Sequence, residues 1–214
     1  MKKDFDRSKE FTKDLDYGHW GEGIMINFIE SYFQNKEKFV SYWYSNDNTN
    51  KNKLKEWDLK FGTYLYKDRI NYTGQFEVEV KTDMYGVDTG NLIFEKSSNG
   101  KKSGVYATKA RFFCYFLPLF KENNIYWIES TKLIELLKKY DTHLLQGGDI
   151  GSNTFMYRIS RTEFDNDFKT AGGKIITYED FDIPKRFEKN QFDSKKVVYE
   201  STDIKTYEDP FDFK

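Results

Sequence analysis

Two short phrases in this 214-residue chain combine residue types that can hold a hard metal ion and act on a phosphate. Gln75-Phe76-Glu77-Val78-Glu79-Val80-Lys81 alternates strictly, the pattern of a half-buried strand with Phe76, Val78 and Val80 inward and Glu77, Glu79 and Lys81 on the other face. The Glu79 carboxylate and the Lys81 ammonium then stand about 6 to 7 Å apart along the chain. Upstream, Trp57-Asp58-Leu59-Lys60-Phe61 alternates as well, with Asp58 and Lys60 sharing a face. If the two strands pair, Asp58 reaches Glu79. Two carboxylates on one face repel unless a cation lies between them. Mg²⁺, with Mn²⁺ as its substitute, is the hard cation that oxygen-only ligands select. A lysine beside such an ion suits phosphodiester hydrolysis, because the ion polarises the phosphate and lowers the pKa of a bound water. The ammonium orients the nucleophile and offsets charge on the pentacovalent centre. The plainer alternative is a solvated polar face with a Glu/Lys pair, since this spacing arises by chance in many charged chains.

The elements that must position these residues are legible in part. Ile24, Met25, Phe28, Ile29, Tyr32 and Phe33 recur at helical spacing from about Gly18 to Phe33. Glu22 lies in the first turn of that helix and leans toward the interior; the alternative is an acid favoured at any helix N-terminus. Leu92-Ile93-Phe94-Glu95 is a third strand, closed by the turn Ser97-Ser98-Asn99-Gly100. Residues Ser103 to Arg111 read as a loop entering a helix, followed by an aromatic strand ending near Leu119. Asn123-Asn124 forms a turn, Tyr126-Trp127-Ile128 a strand, and Thr131 caps a helix running to Tyr140. Gly147, Gly148 and Gly151 mark a loop; a strand at Phe155 to Ile159 and a short helix from about Thr162 follow. From Ala171 periodicity fades, and Ile176 to Asp182 is echoed by Lys205 to Asp212. Residues 171–214 are therefore a partly ordered acidic-aromatic tail after a domain spanning 1–170.

Composition removes several classes. Net charge is −1, without the basic excess that announces a nucleic-acid binder by itself, and three prolines exclude Pro-rich and collagenous chains. The single cysteine, Cys114, excludes an intramolecular disulfide and a cysteine zinc cluster; inside Phe112 to Leu117 it reads as a buried thiol. His19 and His143 lack metal-ligand spacing, and no Gly-Lys-Ser/Thr follows the glycines near 150, so that loop is no P-loop. No stretch approaches the roughly 20 apolar residues of a membrane span, and the N-terminus has no apolar signal core. The expectation is a soluble protein of a reducing cytoplasm. The tyrosines and tryptophans fall mostly at core-facing periods and are structural first.

The order of an inward helix acid, an Asp, a strand with ExK and a loop into a basic segment resembles the PD-(D/E)xK (restriction-endonuclease-like) nuclease superfamily. Glu79-Val80-Lys81-Thr82-Asp83, Gly90 to Glu95, Gly100 to Gly104, Thr108-Lys109-Ala110 and Gly147 to Ser152 look most like a phage-associated branch, and the likeness covers about residues 14 to 165. It implies an α/β fold with a small mixed central sheet flanked by helices, and a Mg²⁺-dependent endonuclease acting on DNA, with the substrate form (double-stranded, branched or single-stranded, or RNA instead) left open. Asp58 and Glu79, with the Val80 carbonyl, would be the metal ligands, Lys81 the catalytic lysine, and Glu22 the helix acid completing the site. Thr108 and Lys109 would meet a substrate phosphate near a helix start. Trp57 replaces the proline of the superfamily name, at a position that varies widely within it. Glu77 and Asp83 flank the motif as alternative ligands or as solvated edge residues. The resemblance also implies a bacterial or phage-infected cell, admits a homodimer and leaves the tail for a protein partner. Its rival is a nuclease fold kept as a DNA- or protein-binding module without turnover.

Overall fold

Alternating and continuous apolar runs produce ten strands in two sheets among the residues that the computed structural model describes, which are 17–29, 38–44, 57–65, 68–83, 86, 89–118, 123–147 and 153–178. Strands β1 (Lys38–Tyr44), β2 (Leu59–Leu65), β3 (Asp68–Thr82), β6 (Phe112–Leu117), β7 (Asn123–Glu129) and β10 (Lys174–Tyr178) form one sheet in the order β1-β2-β3-β6-β7-β10. Its neighbours are antiparallel except β3 and β6, which run parallel, so the sheet is mixed. Strands β4 (Asn91–Ser98), β5 (Lys101–Lys102), β8 (Leu144–Gly147) and β9 (Thr154–Ser160) form a second, antiparallel sheet in the order β5-β4-β9-β8. Helices α1 (17–29), α2 (Ser130–Leu137) and α3 (Arg161–Thr170) accompany them among the described residues. None of the described helices is long and apolar enough to cross a membrane.

The run Phe112 to Leu117 is apolar throughout because β6 is buried on both faces. Its even residues, Phe112, Cys114 and Phe116, join Trp20, Ile24, Met25, Phe28 and Ile29 of α1 in one core, with Leu59, Phe61, Phe76 and Val78. Phe112 stacks on Trp127 at 5.1 Å and meets Phe76 edge-on at 5.7 Å. Its odd residues, Phe113, Tyr115 and Leu117, join a second core with Leu92 and Phe94 of β4, Tyr157 and Ile159 of β9, and the apolar sides of α2 and α3. The expected mixed sheet is therefore present, but one of its faces is covered by a second sheet as well as by helices. Leu92 to Glu95 is a strand as expected; it belongs to that second sheet.

Several local expectations change. Residues 103–111 contain a single 3-10 turn, Gly104–Tyr106, and not the start of a longer helix. Thr131 is not a cap, because α2 begins one residue earlier, directly off β7. Ser130 fixes that junction by donating its hydroxyl to Ala110 O at 2.7 Å and its N–H to Arg111 O at 2.9 Å. Leu137 ends α2, and a 3-10 segment continues through Tyr140 to His143. Asn123 and Asn124 lie within β7. The Asn99-Gly100 turn is as read, with φ of 50° and 76°, the primed geometry of a two-residue hairpin. Ser160 caps α3 by accepting Glu163 N–H. β10 pairs with β7, and its Ile176 enters the first core, so the sheet continues past residue 170. The end of the first helix, residues 148–152 and 179–214 lie outside the described residues.

Buried phenols tie the second core to carboxylates. Tyr126 donates to Asp165 at 2.8 Å, Tyr140 to Asp167 at 3.1 Å and Tyr157 to Asp141 at 2.9 Å. Burial first, and hydrogen bonding to these acids with it, raises the pKa of Tyr126 and Tyr140 above the ordinary 10.0; burial raises Tyr157 likewise. A group whose folded pKa is raised gives stability that is intact below its unfolded pKa and lost above it. Unfolding should therefore begin as pH rises through about 10, with tyrosinate absorbance growing in step with loss of circular dichroism. Gradual tyrosinate formation in a chain that stays folded would contradict this.

Helix α1 meets the end of β3 closely. A Cβ at Gly21 would lie 1.7 Å from Thr82 Oγ1, whereas Gly23 has nothing within 4 Å. Gly21→Ala should lower unfolding stability by about 1–3 kcal/mol, as overpacking does, and Thr82→Ala should relieve part of that loss. Gly23→Ala should raise stability by about 1 kcal/mol. Urea denaturation of the four chains checks the pattern.

Candidate active site at the β2–β3 junction

β3 presents its even residues to the first core and Glu77, Glu79 and Lys81 to the opposite face. In the β2–β3 register Lys60 faces Glu77 and Leu59 faces Val78, so Asp58, one residue before β2, stands opposite Glu79. Asp58 is bonded to the two residues that flank Glu79: its N–H donates to Val78 O at 3.1 Å, and Val80 N–H donates to its Oδ2 at 2.9 Å. A carboxylate thus takes the place of the next main-chain acceptor at the strand end. Directly opposed residues put their Cβ atoms about 5 Å apart. A strand residue presents N–H and C=O on the same side, so the Val80 carbonyl shares the Asp58 side of β3.

Glu79 is held from a third direction. Thr108 Oγ1 donates to Glu79 Oε2 at 2.9 Å and accepts Ala110 N–H at 3.1 Å. Lys81, half-buried, follows two positions along the same face, opposite Tyr115 of β6. Asp58, Glu79, Val80 and Thr108 are therefore joined by hydrogen bonds, with Lys81 beside them by register. Lys109 is exposed. The expected helix start at 108–109 is absent, so its backbone dipole contributes nothing there.

Glu22 is 8% exposed in α1, and that helix packs on the even face of β3. Its neighbour Gly21 meets Thr82, the residue after Lys81, so Glu22 enters the interior near the end of β3. The flanking acids have other partners. Glu77 pairs with Lys60 at 3.1 Å. Asp83, 6% exposed, accepts Gly86 N–H at 2.9 Å and the Tyr115 hydroxyl, which in turn accepts Ile93 N–H at 3.0 Å. Burial first, then Asp83, pushes the Tyr115 pKa up. This triad joins the two sheets.

Among the described residues no three or more His, Cys, Asp or Glu side chains gather around one point. The donor set is two carboxylates and a main-chain carbonyl. Mg²⁺ is commonly held by one or two carboxylates and keeps several waters, so oxygen donors of this number and hardness fit it. The Thr108–Glu79 bond spans 29 positions, and nothing local in the sequence signals it.

The division between site and scaffold is testable. Asp83→Ala strands the Tyr115 hydroxyl and Gly86 N–H and should cost about 1–3 kcal/mol in urea unfolding. Glu77→Gln removes only a partly exposed ion pair and should cost below about 1 kcal/mol. Both should leave Mn²⁺ affinity unchanged; a large loss of affinity in either would move the ligand set toward that residue.

Comparison with family models, curated proteins and solved structures yields no match to this chain.

Proposed function

We propose that this chain is a Mg²⁺-dependent endodeoxyribonuclease with a restriction-endonuclease-like core. The observation that carries the reading is the hydrogen bond from Val80 N–H to Asp58, which brings that carboxylate to the residue between Glu79 and Lys81. The mixed sheet with α1 against one face agrees with it. Asp58, Glu79 and the Val80 carbonyl would hold the ion, with Mn²⁺ able to replace it. When bound, the ion would supply charge neutralisation at the scissile phosphate and a more acidic water. Lys81 donates a hydrogen bond to the attacking water and offsets negative charge as the phosphorus gains a fifth oxygen. Lys109, exposed beyond Thr108, meets a neighbouring phosphate of the DNA. Glu22, buried in α1 near the end of β3, would complete the site or orient a metal-bound water.

The second reading is a nuclease fold that binds DNA or a protein without turnover. Plasmid nicking with Mg²⁺ separates the two. Wild type should nick supercoiled DNA, and Lys81→Ala should lower the rate by about 100-fold or more, the scale of losing a positioned proton-handling group. Asp58→Asn should abolish Mn²⁺ binding. Equal rates for wild type and Lys81→Ala, or no cleavage of supercoiled, linear and branched DNA, would remove the nuclease reading. DNA retention without cleavage would favour the binding module.

A further inference from the structure

We propose that Thr108 is a positioning residue for the Glu79 carboxylate and not a contact for the substrate phosphate; this rests on the metal-site reading above. A threonine hydroxyl carries one proton. Thr108 gives it to Glu79 Oε2 at 2.9 Å, while its oxygen accepts Ala110 N–H at 3.1 Å. A phosphate oxygen needs a donor, and the hydroxyl has already committed its only one. What the bond does is restrict rotation of the Glu79 carboxylate, which would otherwise turn about its last side-chain torsion. Outer-shell partners of this kind orient metal-binding carboxylates.

Thr108 is itself anchored from the second sheet. Its N–H donates to Gly104 O at 3.2 Å, closing the turn that precedes it. Gly104 takes φ of 51° and backs onto β4, where a Cβ would lie 3.1 Å from Glu95 O, so both conformation and space call for glycine. Ser103 donates its hydroxyl to Glu95 Oε2 at 2.7 Å and its N–H to Lys96 O at 3.2 Å. The Tyr106 hydroxyl pairs with that of Tyr157 at 3.2 Å, Tyr157 donates to Asp141, and Lys96 reaches Asp141 at 3.3 Å. Residues 103–108 thus form a strap fastened to β4 and β9, and its far end is the hydroxyl on Glu79. The second sheet sets the orientation of a carboxylate in the first.

The test titrates the full chain calorimetrically with Mn²⁺ alone, for wild type, Thr108→Val and Thr108→Ser. Valine keeps the branched shape and removes the hydroxyl; serine keeps the hydroxyl. Thr108→Val should weaken Mn²⁺ binding about 10-fold or more, the usual effect of deleting an outer-shell partner, while Thr108→Ser stays close to wild type. If the valine chain loses its melting transition, Thr108→Ala, which admits water to Ala110 N–H, takes its place. Equal affinity of the hydroxyl-deleted chain and wild type overturns the proposal, as does a serine chain as weak as the valine one. No Mn²⁺ affinity in wild type removes the metal reading and this proposal together, a result distinct from the other two. On cleavable DNA, loss of kcat at constant KM supports positioning. A raised KM at constant kcat would return Thr108 to the phosphate and overturn the assignment.

Discussion

β6 buries all six of its side chains, so the sheet that contains it has to be covered on both sides. Each large apolar side chain taken fully out of water contributes roughly 1.5–3 kcal/mol, and β6 directs three toward each face. The α1 helix covers one face. The other is covered by the four-stranded sheet with α2 and α3. This two-sided demand places the polar face of β3 in its surroundings. Glu77, Glu79 and Lys81 lie on the side of the second sheet. On the β2 side Glu77 faces Lys60, while on the β6 side Glu79 and Lys81 face Phe113 and Tyr115.

Two carboxylates brought to one strand end repel each other, more strongly the less water screens them. Hydrogen bonds to charged acceptors contribute about 1.5–3 kcal/mol each. One such bond reaches Asp58 from Val80, and one reaches Glu79 from Thr108. Each bond favours the ionised form of the carboxylate it reaches. Glu77 and Asp83 are removed from the contest by Lys60 and by Tyr115 with Gly86.

Where structure follows from local periodicity, the sequence reading agrees with it. The alternation over residues 75–81 assigns the right faces of β3. The unbroken aromatic run yields β6, and Asn99-Gly100 gives its hairpin turn. Disagreement appears where distant contacts decide. Residues 103–111 include good helix formers, yet Glu95, Tyr157 and Glu79 hold them as a strap. Thr131 resembles a cap, but Ser130 is pinned to Ala110 across the sheet, and α2 starts there. The inward lean of Glu22 is correct, since it is buried. Which face of the sheet its helix would cover is a question of packing, and periodicity holds no information about it. Bringing Asp58 toward Glu79 needs the two alternating segments to be neighbours, and β2 and β3 do pair.

The two sheets are interleaved along the chain. β4 and β5 lie between the parallel partners β3 and β6, β8 and β9 lie between β7 and β10, and the last strand returns to the first sheet. Neither layer is a contiguous stretch that a shorter gene segment could encode. Pairing β3 with β6 closes a long loop before any ladder bond rewards it, so assembly carries a high contact order and is slow for its size. The layers should accordingly rise and fall as a single cooperative unit, with no partly built form in which the carboxylate pair exists without its strap.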